Sequence, residues 1–205
     1  MTDTNIQLTS TISEDNKLTI ALQSIEMPQP GADEVVIRIE AAPLNPSDLG
    51  VMLSAADMTT ARQSGTEQSP AITADVPAKF MPAVKTRVGK ATPVGNEGAG
   101  TVVAAGSSPA AQALMGKTVA VIGGGTYRQY ICANVQSCLE LKEGTTAKEG
   151  ASSFVNPLTS LAMVETMRAE GHKAIIHAAA ASNLGQMLNR ICIADGVDLI
   201  NIVRK

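Results

Sequence analysis

Apolar residues recur at every second position in two early stretches of the chain. Residues 17–22 read Lys-Leu-Thr-Ile-Ala-Leu, and residues 34–40 read Glu-Val-Val-Ile-Arg-Ile-Glu. Such alternation suits a strand with one dry and one wet face, and Arg38 between two isoleucines marks the wet side. Pro28, Pro30 and Gly31 separate the two strands. Further short runs at 99–105, 117–122, 127–133 and 138–141 predict more strands, and their spacing suggests a compact β barrel or sandwich. Residues 41–48 contain Pro43 and Pro46 and read as a loop, with Ser47 and Asp48 suited to starting a helix. Residues 1–10 are polar and lack the layout of a secretory signal; no element is assigned to them.

Residues 54–92 hold no sustained period. They are rich in Ala, Thr, Ser, Gln and Pro and end in a basic stretch with Lys79, Lys85, Arg87 and Lys90. The expectation is a long surface excursion, either a lid or mobile segment, or a solvated insert without a role. The period then changes near Thr145. Residues 157–169 have helical spacing with Leu158, Leu161 and Ala162 on one face, Asn156 as N-cap and Pro157 in the first helical position. Gly171 stops that helix, and 173–178 reads as a short buried strand. Residues 184–191 place Leu184, Met187, Leu188 and Ile191 on one helical stripe. Gly196 ends that helix and 197–203 is the next strand. Strand, helix and strand within about thirty residues make a βαβ unit. The fold class is therefore α/β plus β, with a β-rich domain over 1–145 and the start of an α/β domain over 146–205.

Composition narrows the function classes. The 205 residues are 44% hydrophobic and 17% charged, which excludes a disordered chain. With no Trp, two Tyr and two Phe, the chain has little with which to stack bases. Lys plus Arg is 16 against 19 Asp plus Glu, a net charge of −3. A broad phosphate-binding patch is usually basic, so nucleic acid is not an expected partner. No run of 18 apolar residues predicts a membrane helix. Cys132, Cys138 and Cys192 lack CxxC spacing and read as reduced, buried thiols of a cytoplasmic protein.

Two stretches could carry cofactor chemistry. A strand runs into Ala179, Ala180, Ala181, Ser182, Asn183, Leu184 and Gly185, and a helix follows. Small residues let the backbone approach a pyrophosphate, and the free N–H groups of a helix start favour its charge. An ordinary βα turn has the same outline, because alanines stand where a GxGxxG fingerprint has glycines. The following strand ends in Arg204 and Lys205. Cations there suit the 2′-phosphate of NADPH, where an acidic residue would suit NADH.

These features bring a family into view. Residues 41–48 (Ala-Ala-Pro-Leu-Asn-Pro-Ser-Asp), 94–100 (Val-Gly-Asn-Glu-Gly-Ala-Gly), 155–159 (Val-Asn-Pro-Leu-Thr) and the 179–185 turn occur in the order found in the medium-chain dehydrogenase/reductase superfamily. The sequence most resembles its zinc-free branch of quinone oxidoreductases and enoyl thioester reductases. The resemblance implies a GroES-like β-barrel domain followed by a Rossmann-type domain, with the active site in the cleft between them. It places Asn45 and Thr159 beside the nicotinamide and the substrate carbonyl as catalytic groups. It assigns cofactor binding to Ala181, Ser182, Asn183, Leu184, Gly185, Arg204 and Lys205. Asn96 stands where zinc enzymes of the superfamily have His, and no Cys lies at Asn45 or Pro46, so no metal is expected. The enoyl reductases carry a Tyr soon after the Asn45–Asp48 motif, and residues 50–56 have none. Tyr127 falls in a strand where it faces either the cleft or the core.

Members of the family are longer. This sequence stops after the second Rossmann strand, so it is expected to hold the first half of the nucleotide site and to be weak or inactive alone. The free sheet edges predict self-association as a homo-oligomer, or a poorly ordered end. Two functions remain open: NADPH-dependent reduction of a quinone or activated carbonyl, and a non-catalytic GroES-like fragment or interaction module.

Overall fold

The computed structural model describes residues 4–203. Arg204 and Lys205, expected to meet the cofactor, lie outside the described residues. The chain forms two compact units, residues 1–151 and 152–205.

The first unit is built from two five-stranded antiparallel sheets. Its strands are β1 (Thr4–Ile12), β2 (Lys17–Glu26), β3 (Glu34–Ala41), β4 (Asp57–Gly65), β5 (Pro70–Asp75), β6 (Thr92–Pro93), β7 (Glu97–Ala105), β8 (Thr118–Ile122), β9 (Tyr130–Asn134) and β10 (Cys138–Glu140). One sheet has the order β4-β5-β2-β1-β6 and the other β10-β8-β7-β3-β9. Helices α1 (Pro46–Leu53), α2 (Met81–Val84), α3 (Pro109–Ala113) and α4 (Ala147–Gly150) punctuate the strands. The sheets are stitched together by residues 127–130. Leu8 N bonds Tyr127 O at 2.8 Å on one side, and Ile39 N bonds Gln129 O at 2.8 Å on the other. Ile12, Leu18, Ile20, Val76 and Val84 form the core of the first sheet. Val35, Ile37, Val102, Val119, Val121 and Ile131 form that of the second. Each such side chain contributes about 1.5–3 kcal/mol by leaving water.

Strand β1 has no counterpart in the hydrophobic pattern, because its buried positions include Asn5, Thr9 and Ser10. Their polar atoms are satisfied internally, which is the condition for burying them. Asn5 Nδ2 donates to Tyr130 O at 2.6 Å, and Tyr130 N donates to Asn5 Oδ1 at 3.0 Å. Ser10 Oγ donates to Met52 O at 2.8 Å.

The expected excursion over 54–92 is corrected. Strands β4 and β5 form a hairpin inside the first sheet, with β5 paired to β2 from Lys17↔Asp75 to Ala21↔Ala71. Strand β4 is an edge strand with mostly exposed positions, so it lacks the alternation that reveals a half-buried strand. Beyond it, Met81, Val84 and Val88 reach back into the core as residues 78–87 wind through successive helical turns.

The second unit contains α5 (Val155–Ala169), β11 (Ala174–His177), α6 (Asn183–Asp195) and β12 (Asp198–Asn201). The two strands pair in parallel, Ala174↔Asp198 to His177↔Asn201. Helix α5 starts earlier than its sequence implies. Phe154 is the N-cap in place of Asn156, and Pro157 occupies the third helical position, where its missing N–H still costs nothing. Its buried stripe also differs. Ser160, Val164 and Met167 are buried, while Leu158 and Leu161 are 50% and 44% exposed. The reason is Ser160, whose Oγ donates to Leu184 O at 3.1 Å and brings the small-residue face inward. Helix α6 buries Gly185, Leu188 and Cys192. Strand β11 is covered on one face only: Ile175 packs with Val164 and Leu188, whereas Ile176 is 66% exposed. All three cysteines are free thiols, with Cys192 buried and Cys132 and Cys138 only partly so.

Candidate functional site

In the first unit a polar cluster surrounds the start of α1. Asn45 is its N-cap in extended conformation, and Pro46 fits the next position because its φ is preset for a helix. Asp48, at the third helical position, is buried and accepts from Asn45 N through Oδ2 at 2.7 Å. The Asn45 side chain, also buried, donates from Nδ2 to Glu97 Oε1 at 2.9 Å. Glu97 opens β7 and is fully buried; its carbonyl accepts from Thr126 Oγ1 at 2.8 Å. Asn96 Nδ2 donates to Ser47 Oγ at 3.0 Å. Tyr127 closes the group by donating its hydroxyl to Pro43 O at 2.7 Å. Burial pushes the Tyr127 phenol well above its ordinary pKa, and the charge of Asp48 beside it and of Glu97 pushes it further. This cluster fixes the amide of Asn45 in one orientation, as a hydrogen-bonding group that must be preorganised requires. Among the described residues no three His, Cys, Asp or Glu side chains gather so as to hold a metal ion.

In the second unit the predicted turn connects β11 to α6. Ser182 is the N-cap, and its Oγ accepts from Gly185 N at 3.0 Å. That bond leaves the amides of Asn183 and Leu184 as the helix-start donors open to an anion. Gly185 is needed for packing: a Cβ there would lie 2.6 Å from Ala179 O and 2.5 Å from Ala180 O. Residues Ala178 to Ser182, with Ile202 and Val203 at the end of β12, line a cavity of about 280 Å³. Small side chains and open helix-start amides at the carboxyl ends of parallel strands fit the pyrophosphate of a dinucleotide.

Thr159 lies on α5, partly buried, and its hydroxyl donates to Val155 O at 2.5 Å. With Met163, His172, Ile176 and His177 it lines a second cavity of about 450 Å³. The structure thus gathers Ala181, Ser182, Asn183, Leu184 and Gly185 at one helix start. Asn45 belongs to the first unit and Thr159 to the second. The sequence marks Asp48 only as a helix-start residue and points to no role for Glu97 or Thr126. Asp48 and Glu97 stand near Asn45 and Asn96, Thr126 stands near neither, and no periodicity shows that the three are buried.

Residues 31–143 match the family model described as Alcohol dehydrogenase GroES-like domain. The chain belongs to this family and to the medium-chain dehydrogenase/reductase superfamily. It is similar to the mitochondrial enoyl-[acyl-carrier-protein] reductase of Bos taurus, 26% identical over 187 residues, which are 90% of this chain and 43% of that protein. A protein from Mesorhizobium loti described as an NADPH:quinone reductase superposes with a TM-score of 0.70 at 25% identity, covering 100% of this chain and 56% of its own. A mycobacterial protein solved with NADPH shares the fold at a TM-score of 0.63 and 20% identity, covering 98% of this chain and 52% of its own. The chain therefore spans about half the length of the proteins it matches. Among the described residues no helix is long and apolar enough to cross a membrane.

Proposed function

We propose that the chain is the β domain and first βαβ unit of a zinc-free, NADPH-dependent reductase acting on a quinone, enone or similarly activated carbonyl compound. The observation that carries this reading is the β11–α6 turn, whose open amides and 280 Å³ cavity lie at the strand ends of a chain in this superfamily. Asn183 and Leu184 N–H groups would hold the pyrophosphate, with Ala181, Ser182 and Gly185 keeping the turn close to it. Arg204 and Lys205 would neutralise the 2′-phosphate. The bound nicotinamide supplies a hydride to the electrophilic carbon of the substrate. Asn45, held by Glu97, would donate to the oxygen on which the electron pair then develops. Thr159 would assist after turning its hydroxyl away from Val155 O. Three free thiols fit a reducing, cytoplasmic compartment.

Fluorescence titration of the purified chain tests the reading. Saturable binding of NADPH, tighter than that of NADH, is expected. No saturable binding at millimolar NADPH refutes it for this chain. A second reading, an interaction module that self-associates, is favoured by the bare face of β11 and β12, where Ile176 and Ile200 are exposed. Light scattering checks it: a strictly monomeric chain at high concentration removes it.

A further inference from the structure

Tyr127 stands where two loops meet. Its ring packs on Gly95, whose φ is +99° and where a Cβ would lie 2.6 Å from Tyr127 Cδ1. Its N–H donates to Val94 O at 2.9 Å and its carbonyl accepts from Leu8 N at 2.8 Å. A residue gripped this way has little freedom, and it extends a hydroxyl across to Pro43 O, two residues before Asn45. The loop bearing Asn45 and the loop bearing Asn96 and Glu97 are thereby tied through one side chain.

The surroundings decide between two roles for that phenol. A general acid must leave a tolerable anion when it gives up its proton. Here burial and the nearby carboxyl groups of Asp48 and Glu97 oppose the phenolate. What remains is the hydrogen bond itself. We infer that Tyr127 is a positioning residue: its hydroxyl anchors the Pro43 carbonyl and so sets how Asn45 enters α1 and meets Glu97. The inference rests on the reading of Asn45 as the group that orients substrate, but its test reads the loop and not the reaction.

The experiment is ¹⁵N NMR on the 205-residue chain, following the side-chain amide of Asn45, assigned through Asn45→Asp. In Tyr127→Phe the ring remains and the hydroxyl is lost. The Asn45 amide protons are expected to shift and to exchange with water roughly tenfold faster, the equivalent of one modest hydrogen bond. Backbone signals of Val119, Ala120 and Val121 should stay in place. An unmoved Asn45 amide overturns the inference. So does a change that extends equally to β8, since that marks general loosening. A chain that fails to bind NADPH would sink the proposed function and leave this signature intact.

Discussion

Replacing Asn5 by Ala isolates what joins the two sheets. The wild-type side chain is fully buried and makes two hydrogen bonds to the backbone of Tyr130. Alanine removes both partners at once, leaving a Tyr130 N–H and a Tyr130 C=O to find others. Each lost bond is worth about 1 kcal/mol net, and an enclosed group left unpaired costs about 1–3 kcal/mol. A total near 3 kcal/mol follows, with the upper part of the range avoided wherever water reaches Tyr130, which is only partly buried. For a chain of this size that corresponds to a fall in Tm of roughly 6–12 °C. Urea unfolding followed by far-UV circular dichroism measures it, with Thr4→Ala, an exposed position on the same strand, as control within about 0.5 kcal/mol. A loss below about 1 kcal/mol for Asn5→Ala would mean that the sheets are held by the neighbouring backbone bonds and not by this amide.

Three other outcomes are expected. Gly185→Ala drives a Cβ against the carbonyls of Ala179 and Ala180, so it should cost about 1–3 kcal/mol by overpacking; an unchanged melting curve would show that the turn yields freely. The thiols of Cys132 and Cys138 are both pushed up to about 11, chiefly by burial, and for Cys132 also by the charge of Glu34. At pH 8 both should alkylate about a hundredfold more slowly than an exposed cysteine, as mass spectrometry after iodoacetamide would show. Because the folded pKa lies above the unfolded one, the stabilisation is fully present below pH 9.0 and is lost as pH rises through about 11. Urea midpoints of wild type should therefore fall relative to those of Cys132→Ala/Cys138→Ala as pH rises from 9.0 to about 11, and parallel curves would contradict the assignment.

Much of the architecture was legible where burial follows a simple period. The strands around Val35–Ile37 and Val119–Val121 show as short apolar runs because both of their faces pack, Val36 and Ala120 being as buried as their neighbours, and α6 shows its stripe through Leu188. Legibility failed where polar groups do the packing. Asn5, Thr9 and Ser10 hide β1, since a hydrogen-bonded amide inside a protein looks in sequence like a solvated one. Ser160 misdirects α5 in the same way, turning two leucines outward. The β4–β5 hairpin was lost for the opposite reason, because an edge strand buries too little to show a period. At the candidate site the motif residue Asn45 could be named from its neighbours, but its dependence on Glu97 and the tie from Tyr127 are long-range contacts. Gly185, singled out for close approach of a ligand, is required by close approach of its own backbone.

The stitch between the sheets also bears on the order in which the molecule is made. β1 and β2 are adjacent in the chain and can close their hairpin as soon as residue 26 is available. On the other edge of β1 the C-terminal half is met by β6 at Thr92 and Pro93, but the N-terminal half waits for Tyr127 to Tyr130, and Asn5 for a partner 125 residues downstream. At about 5–20 residues per second that interval is roughly 6–25 s. Throughout it the N-terminal half of that edge is unpaired and the Asn5 amide unsatisfied, the long-range closure that makes β topologies slow. Strand β1, made before the other strands described, is thus among the last to complete its bonds, and the period before residue 130 emerges is when this chain most needs protection from pairing with the wrong strand.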